Sequence, residues 1–160
     1  MLNNSTKTKN TLNRTLTILI FLLGLILIMS VFLGVPYILK NLGNLNKIVS
    51  ITSVFLIGVS YFIMFIILSK IVSSSRVNIF IRENTNRFRK LGYLLFINLG
   101  LNYIYVFCND VTGMRLIDLF PGFFVTPEMA IYFVFGLLCF VIGDTINEAT
   151  IIKNENDLTI

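Results

Sequence analysis

The segment Arg76–Lys90, RVNIFIRENTNRFRK, lies between two long apolar runs and limits the fold more than any other stretch of the chain. It carries Arg76, Arg82, Arg87, Arg89 and Lys90 against a single acid, Glu83. A hydrocarbon layer rejects such a segment, so it must lie in water or among headgroups. The apolar runs beside it have the opposite preference. With 56% hydrophobic residues, 13% charged residues and a mean hydropathy of +0.84 over 160 residues, too little polar surface remains to coat a soluble domain. The apolar residues are also gathered in blocks. Roughly 20 such residues form a helix that crosses about 30 Å of hydrocarbon.

Four blocks meet that requirement, at about 16–39, 48–72, 91–108 and 128–143. They predict an all-α integral membrane four-helix bundle, a single domain over 1–160. A short amphipathic cytoplasmic helix is expected between spans 2 and 3, and a cytoplasmic tail over 144–160. The first block follows a basic leader with Lys7, Lys9 and Arg14, as a signal peptide would. Its apolar core, Ile18–Leu33, is long for a signal peptide and no small-residue cleavage site follows, so an uncleaved span is expected. Thr126-Pro127-Glu128 reads as the start of the last helix: Thr as N-cap, Pro at the first position, Glu near the positive end of the dipole.

Lysine and arginine counts set the orientation. With both termini cytoplasmic, ten lie inside (Lys7, Lys9, Arg14, Lys70, Arg76, Arg82, Arg87, Arg89, Lys90, Lys153) and three outside (Lys40, Lys47, Arg115). Lys40 and Lys47 fall together in the short first outer loop and oppose the rule. The same rule accounts for the net charge of +5 without nucleic acid, and no direct nucleic-acid partner is expected. Tyr37, Tyr93, Tyr103, Tyr105 and Tyr132 fall near predicted span ends, where an amphipathic ring favours the interface. Tyr61 is mid-span, and its hydroxyl requires an internal partner.

The chain has no histidine, and its two cysteines, Cys108 and Cys139, lack any C-x-x-C spacing. This composition removes the commonest general base and metal ligand. No catalytic constellation and no cofactor or metal site is expected, and the cysteines read as packing residues. No span has an ionised residue near its centre, the usual mark of a proton or ion path.

Small and polar positions carry the packing information in lipid. No two glycines are four apart, but small or weakly polar residues recur at seven: Thr17 and Gly24, Ser53 and Ser60, Gly136 and Gly143. Seven is the repeat of shallow left-handed packing. Asn98 and Asn102, continued by Tyr105, form one polar face of span 3 and should point into the bundle. The bland reading is interhelical hydrogen bonding; the functional one is a polar lining for a solute path.

As a helix, the basic segment places Ile81, Thr85, Phe88 and Gly92 on one stripe, with Arg82, Arg87, Arg89 and Lys90 on other sides. These four cations are candidate contacts for lipid headgroups or for a soluble partner. Past span 4 the charge reverses. Asp144 and Glu148 stand one turn apart, followed by Glu155 and Asp157, an acidic strip expected to pack beside Arg82–Lys90. A divalent-metal reading of that strip lacks histidine and EF-hand spacing.

The same segments resemble a family of small bacterial membrane proteins, domain of unknown function 2975. Its N-P-F-[TS]-x-E-N pattern is matched by Asn78-Ile79-Phe80-Ile81-Arg82-Glu83-Asn84, and its R-x-[RK]-K-x-G pattern by Arg87-Phe88-Arg89-Lys90-Leu91-Gly92. Glu155-Asn156-Asp157-Leu158-Thr159-Ile160 resembles the family's ending. The chain departs at Ile79, where proline is usual, and at Ile81, where serine or threonine is usual. The resemblance implies four spans in a bacterial inner membrane and a partner among small cytoplasmic helix-turn-helix regulators. It implies no activity. The reading is thus of a non-enzymatic regulatory or scaffold protein in contact with the bilayer and a cytoplasmic partner. The alternative is a small transporter, channel or immunity-type protein using the Asn98, Asn102 and Tyr105 face. Oligomeric state is not encoded in any of these patterns.

Overall fold

A computed structural model of the chain describes residues 2–75, 79–109, 115–120 and 122–157, with side chains from Thr8 onward except at 119, 120 and 157. Arg76, Asn78, Pro121, the side chains of Lys7 and Asp157, and the last three residues fall outside the described set.

Four helices hold the apolar blocks: α1 (Leu2–Lys40), α2 (Leu45–Ser74), α3 (Arg82–Asn109) and α4 (Pro127–Asp157). Each is long and apolar enough to cross a membrane, and the chain is a multi-pass membrane protein. The helices overrun the blocks that predict them, because the polar flanks continue as helix. α1 starts in the basic leader. α3 takes in the amphipathic segment from Arg82, so that segment is the first turns of the span and continuous with it. α4 continues past Asp144 through the acidic tail. Pro36 sits inside α1 near its end; its ring removes one bond to the preceding turn, a loss that helices in membranes tolerate.

Local chemistry fixes the joints. Between α1 and α2 the chain turns in four residues, where Asn41 Nδ2 donates to the Tyr37 carbonyl at 2.8 Å and Asn44 caps α2, accepting from the Lys47 amide at 3.3 Å. So short a turn makes the two helices antiparallel neighbours. Thr126 caps α4 as its sequence predicts: its hydroxyl accepts from the Met129 amide at 3.3 Å, and its carbonyl accepts from Ala130 at 3.1 Å.

Ahead of that cap stands a feature the sequence reading did not contain. Strands β1 (Ile117–Phe120) and β2 (Phe123–Val125) form an antiparallel hairpin pairing Ile117 with Val125 and Asp118 with Phe124. Gly122 takes φ 88° in the turn, a conformation open to glycine. Phe124 is buried under Val106 and Met129, its ring stacked on Tyr103, whose hydroxyl donates to the Gly122 carbonyl.

The helices pack in chain order, α1 on α2, α2 on α3 and α3 on α4. Buried positions recur at alternating three and four residues. On α4 they are Met129, Tyr132, Gly136, Gly143 and Ile146; on α3, Leu91, Leu95, Asn98 and Val106. Gly136 and Gly143 therefore face α3, and Ser53 and Ser60 are buried on α2, as the seven-residue repeat predicts. The first pair fares differently. Gly24 approaches Phe62, but Thr17 is exposed and returns its hydroxyl to the Asn13 carbonyl; Leu16 is the buried residue there.

Candidate functional site

At the end of the bundle that carries both termini, three helix ends converge. The last carbonyls of α2 lack intrahelical partners and form the negative pole of its dipole. Cations gather there. Lys9 Nζ of α1 donates to the Ser75 carbonyl at 2.7 Å, and Arg87 of α3 donates to the Lys70 carbonyl at 3.3 Å and the Ser74 hydroxyl at 3.0 Å. Asn13 Oδ1 of α1 accepts from the hydroxyls of Ser69 and Ser73.

Asn84 is the hub of this end, 0% exposed. Its Oδ1 accepts from Ser74 and from Arg87, both at 2.8 Å, and its Nδ2 donates to the Ile79 carbonyl at 2.9 Å. One amide thus ties the end of α2, the first turns of α3 and the segment between them. The sequence reading missed Asn84 as a site residue. The signal for it was an asparagine three before an arginine, facing a helix end of three serines, Ser73 to Ser75.

The four basic candidates divide by their angle around α3. Arg87 and Arg89 are two residues apart, about 200° around the axis. Arg87 turns to α2 and donates to the Lys70 carbonyl and the Ser74 hydroxyl. Arg89 turns to α4, with its Cγ over Gly143 and its Nη2 2.7 Å from Asp144 Oδ1. Arg82 and Lys90 are exposed and have no partner among the described residues.

Of the acidic strip, Asp144 lies beside the basic segment. Glu148, a turn further on, is exposed and pairs with no described cation. The Arg89 and Asp144 side chains are 45% and 61% exposed, so solvent screens them. A double-mutant cycle with Arg89→Ala and Asp144→Ala should give a coupling below about 1 kcal/mol in a reversible unfolding assay. Glu148→Ala should couple to neither Arg87 nor Arg89.

The apolar stripe of the basic segment faces α4. Thr85 and Gly92 are buried, and the Phe88 Cβ lies against Gly143. Above it the polar face of α3 points into the bundle. Asn98 is 0% exposed; its Nδ2 reaches Met64 Sδ at 3.7 Å, and its Oδ1 has no donor among the described residues. Asn102 Oδ1 accepts from Thr126 at 3.4 Å, tying α3 to the start of α4. Tyr105 lines a cavity with Asn109, a residue the sequence reading left out, whose Nδ2 donates to Ser50 Oγ at 2.6 Å. Tyr61 finds the partner its depth requires: its hydroxyl meets that of Tyr132 at 2.7 Å. Tyr132 is buried, so it serves as that partner and not as an interfacial belt residue.

Cys108 and Cys139 are unbridged, and among the described residues no three or more Cys, Asp or Glu side chains gather as a metal cluster.

Neither the curated proteins nor the solved structures contain a match to this chain. A protein family does match, over residues 3–160, and its description is "Protein of unknown function (DUF2975)". That match takes in all four spans and the Asn84–Arg87 hub, and the chain belongs to this family.

Proposed function

We propose that the protein is a non-enzymatic scaffold or regulator that holds a soluble partner against its termini-bearing face, on the cytoplasmic side of the membrane. The observation that carries this reading is the surface left over once the internal network is complete. Arg87 and Arg89 are committed to the bundle, while Arg82 and Lys90 point outward. Beside them α4 runs on as helix beyond Asp144. Together with Phe80 it forms a shallow groove lined by Ala149, Ile152, Lys153 and Asn156. Phe80 and Ile152 are 43% and 58% exposed at the end where charge, not apolar surface, is expected. An apolar groove with Lys153 in its wall, on a face that also exposes Arg82 and Lys90, suits a partner surface with an apolar ridge and acidic flanks. The partner class that the family resemblance implies is a small helix-turn-helix regulator. The solute-path alternative has less support, because Asn98 is closed in by packing and Asn102 is used by Thr126.

Photo-crosslinking from positions 80 and 152 in native membranes tests this. One soluble protein should be captured from both positions. The double reversal Arg82→Glu and Lys90→Glu should lower its affinity about tenfold, equivalent to about 1.4 kcal/mol. Capture that differs between the two positions, or is indifferent to the reversal, would overturn the reading.

A further inference from the structure

One of the two lysines that oppose the orientation rule, Lys47, stands one turn beyond a cavity. Between α1, α2 and α3, toward the hairpin-bearing end, lies a cleft of about 440 Å³, within the usual range of small-molecule sites. Its lower limit is the close approach of α1 and α2, where a Cβ on Gly58 would stand 3.1 Å from Leu27. Its side wall includes Ile26 and Val54, which are 61% and 50% exposed on apolar helix faces, so the cleft is continuous with the hydrocarbon around the bundle.

The polar groups gather at one end, apart from Ser30 on the α1 wall, whose hydroxyl donates to the Leu27 carbonyl of its own helix. Ser50 and Asn109 bond to each other there, and the Tyr105 hydroxyl has no partner among the described residues. On α2, the lining residues Ser50, Ile51, Val54, Phe55 and Gly58 share one helical stripe, and Lys47 is its next member, one turn beyond the cleft. Lys47 is exposed and donates at 3.5 Å to Asn41, a neutral group. Neither α1 nor α2 contains a carboxylate; the first acid in the chain is Glu83, at the other end.

We propose that this cleft is a site for an anionic membrane lipid, with one acyl chain between α1, α2 and α3, an ester oxygen accepting from Tyr105, and the phosphate at Lys47. The order of groups along the cleft, Lys47 outermost, the Ser50 and Tyr105 hydroxyls next and the apolar wall deepest, is the order in which a lipid presents head, ester and chain. A charged headgroup supplies Lys47 with the counter-ion its own helices lack, and the chain fills a space open to the bilayer.

The absence of tryptophan makes a direct test available. Single reporters Ile26→Trp in the cleft wall and Phe135→Trp on the exposed face of α4 are placed in zwitterionic vesicles doped with a small fraction of lipid brominated on its chains. Brominated anionic lipid should quench the cleft reporter about fivefold more effectively than the α4 reporter, corresponding to about 1 kcal/mol from one lysine at the surface. Lys47→Gln should bring that ratio to about one, and brominated zwitterionic lipid should give about one throughout. Because a tryptophan can itself fill the cleft, native mass spectrometry of the unaltered chain is the second readout. One anionic lipid should be retained per chain and lost in Lys47→Gln. Equal quenching at both reporters, or retention indifferent to Lys47→Gln, would overturn the site. Weaker quenching in the cleft than on α4 from every lipid would mean that a second copy covers it, and would overturn it equally.

Discussion

Asn84→Leu should destabilise the bundle by about 3 kcal/mol, among the largest losses available to one side chain outside the apolar core. Leucine fits the volume but makes none of the three contacts. The Ile79 carbonyl loses the Nδ2 donor at 2.9 Å, and Ser74 and Arg87 lose the shared acceptor at 2.8 Å. A hydrogen bond to a charged group contributes about 1.5–3 kcal/mol and a neutral one about 1 kcal/mol. Burial raises the cost further, because a site 0% exposed admits no water in place of the amide. Asn84→Asp separates the parts. It keeps the acceptor for Ser74 and Arg87 and gives Arg87 a carboxylate, but has nothing to donate to Ile79, so it should lose only about 1 kcal/mol. Reversible unfolding in mixed micelles reads both. Losses that are equal for Leu and Asp, or below about 1 kcal/mol for Leu, would mean that the hub holds nothing together.

What the sequence discloses about this protein follows from the range of each interaction. Spans are legible because every residue of a crossing helix meets the same solvent, so apolar length alone identifies them. The α4 cap is legible because Thr126, Pro127 and Glu128 act on backbone within one turn. Tyr61 was legible as a requirement, since a mid-span hydroxyl needs some partner, but nothing local named Tyr132. The acidic strip was half legible. Asp144 and Glu148 are equivalent by sequence, and what separates them is where α3 passes α4. Gly143 lies against Arg89 Cγ, which brings Asp144 within reach of that guanidinium and leaves Glu148 beyond it. The inward bonds of Arg87 were not legible for a related reason: its acceptors are the Lys70 carbonyl, the Ser74 hydroxyl and Asn84 Oδ1, and uncharged acceptors leave no mark in the charge pattern. The hairpin strands, of four and three residues, are too short to show alternation. The lipid cleft is space between three helices, and no one of their sequences contains it.

The crossing of α3 and α4 carries the second large effect. A Cβ built on Gly92 would stand 3.1 Å from the Gly136 carbonyl oxygen and 3.0 Å from Phe140 Cζ. A side chain can rotate away, but the carbonyl belongs to α4 itself. Gly92→Ala should therefore separate the helices and cost about 1–3 kcal/mol despite alanine's better helix propensity, and Gly92→Leu should cost more. Two comparisons isolate the cause. Gly100 lies on the same helix with nothing within 4 Å of the new Cβ. Gly100→Ala should therefore stabilise by up to about 1 kcal/mol, through propensity alone. A Cβ on Gly136 would first meet the Phe96 ring, at 3.0 Å, so Gly136→Ala should fall between the two, its cost set by how far Phe96 can turn from Phe133 and Phe140. Combining Gly92→Ala with Phe140→Leu should recover only part of the loss, because the carbonyl stays in place. Full recovery would place the whole clash on the ring, and a neutral Gly92→Ala would mean that the two backbones do not approach as closely as this.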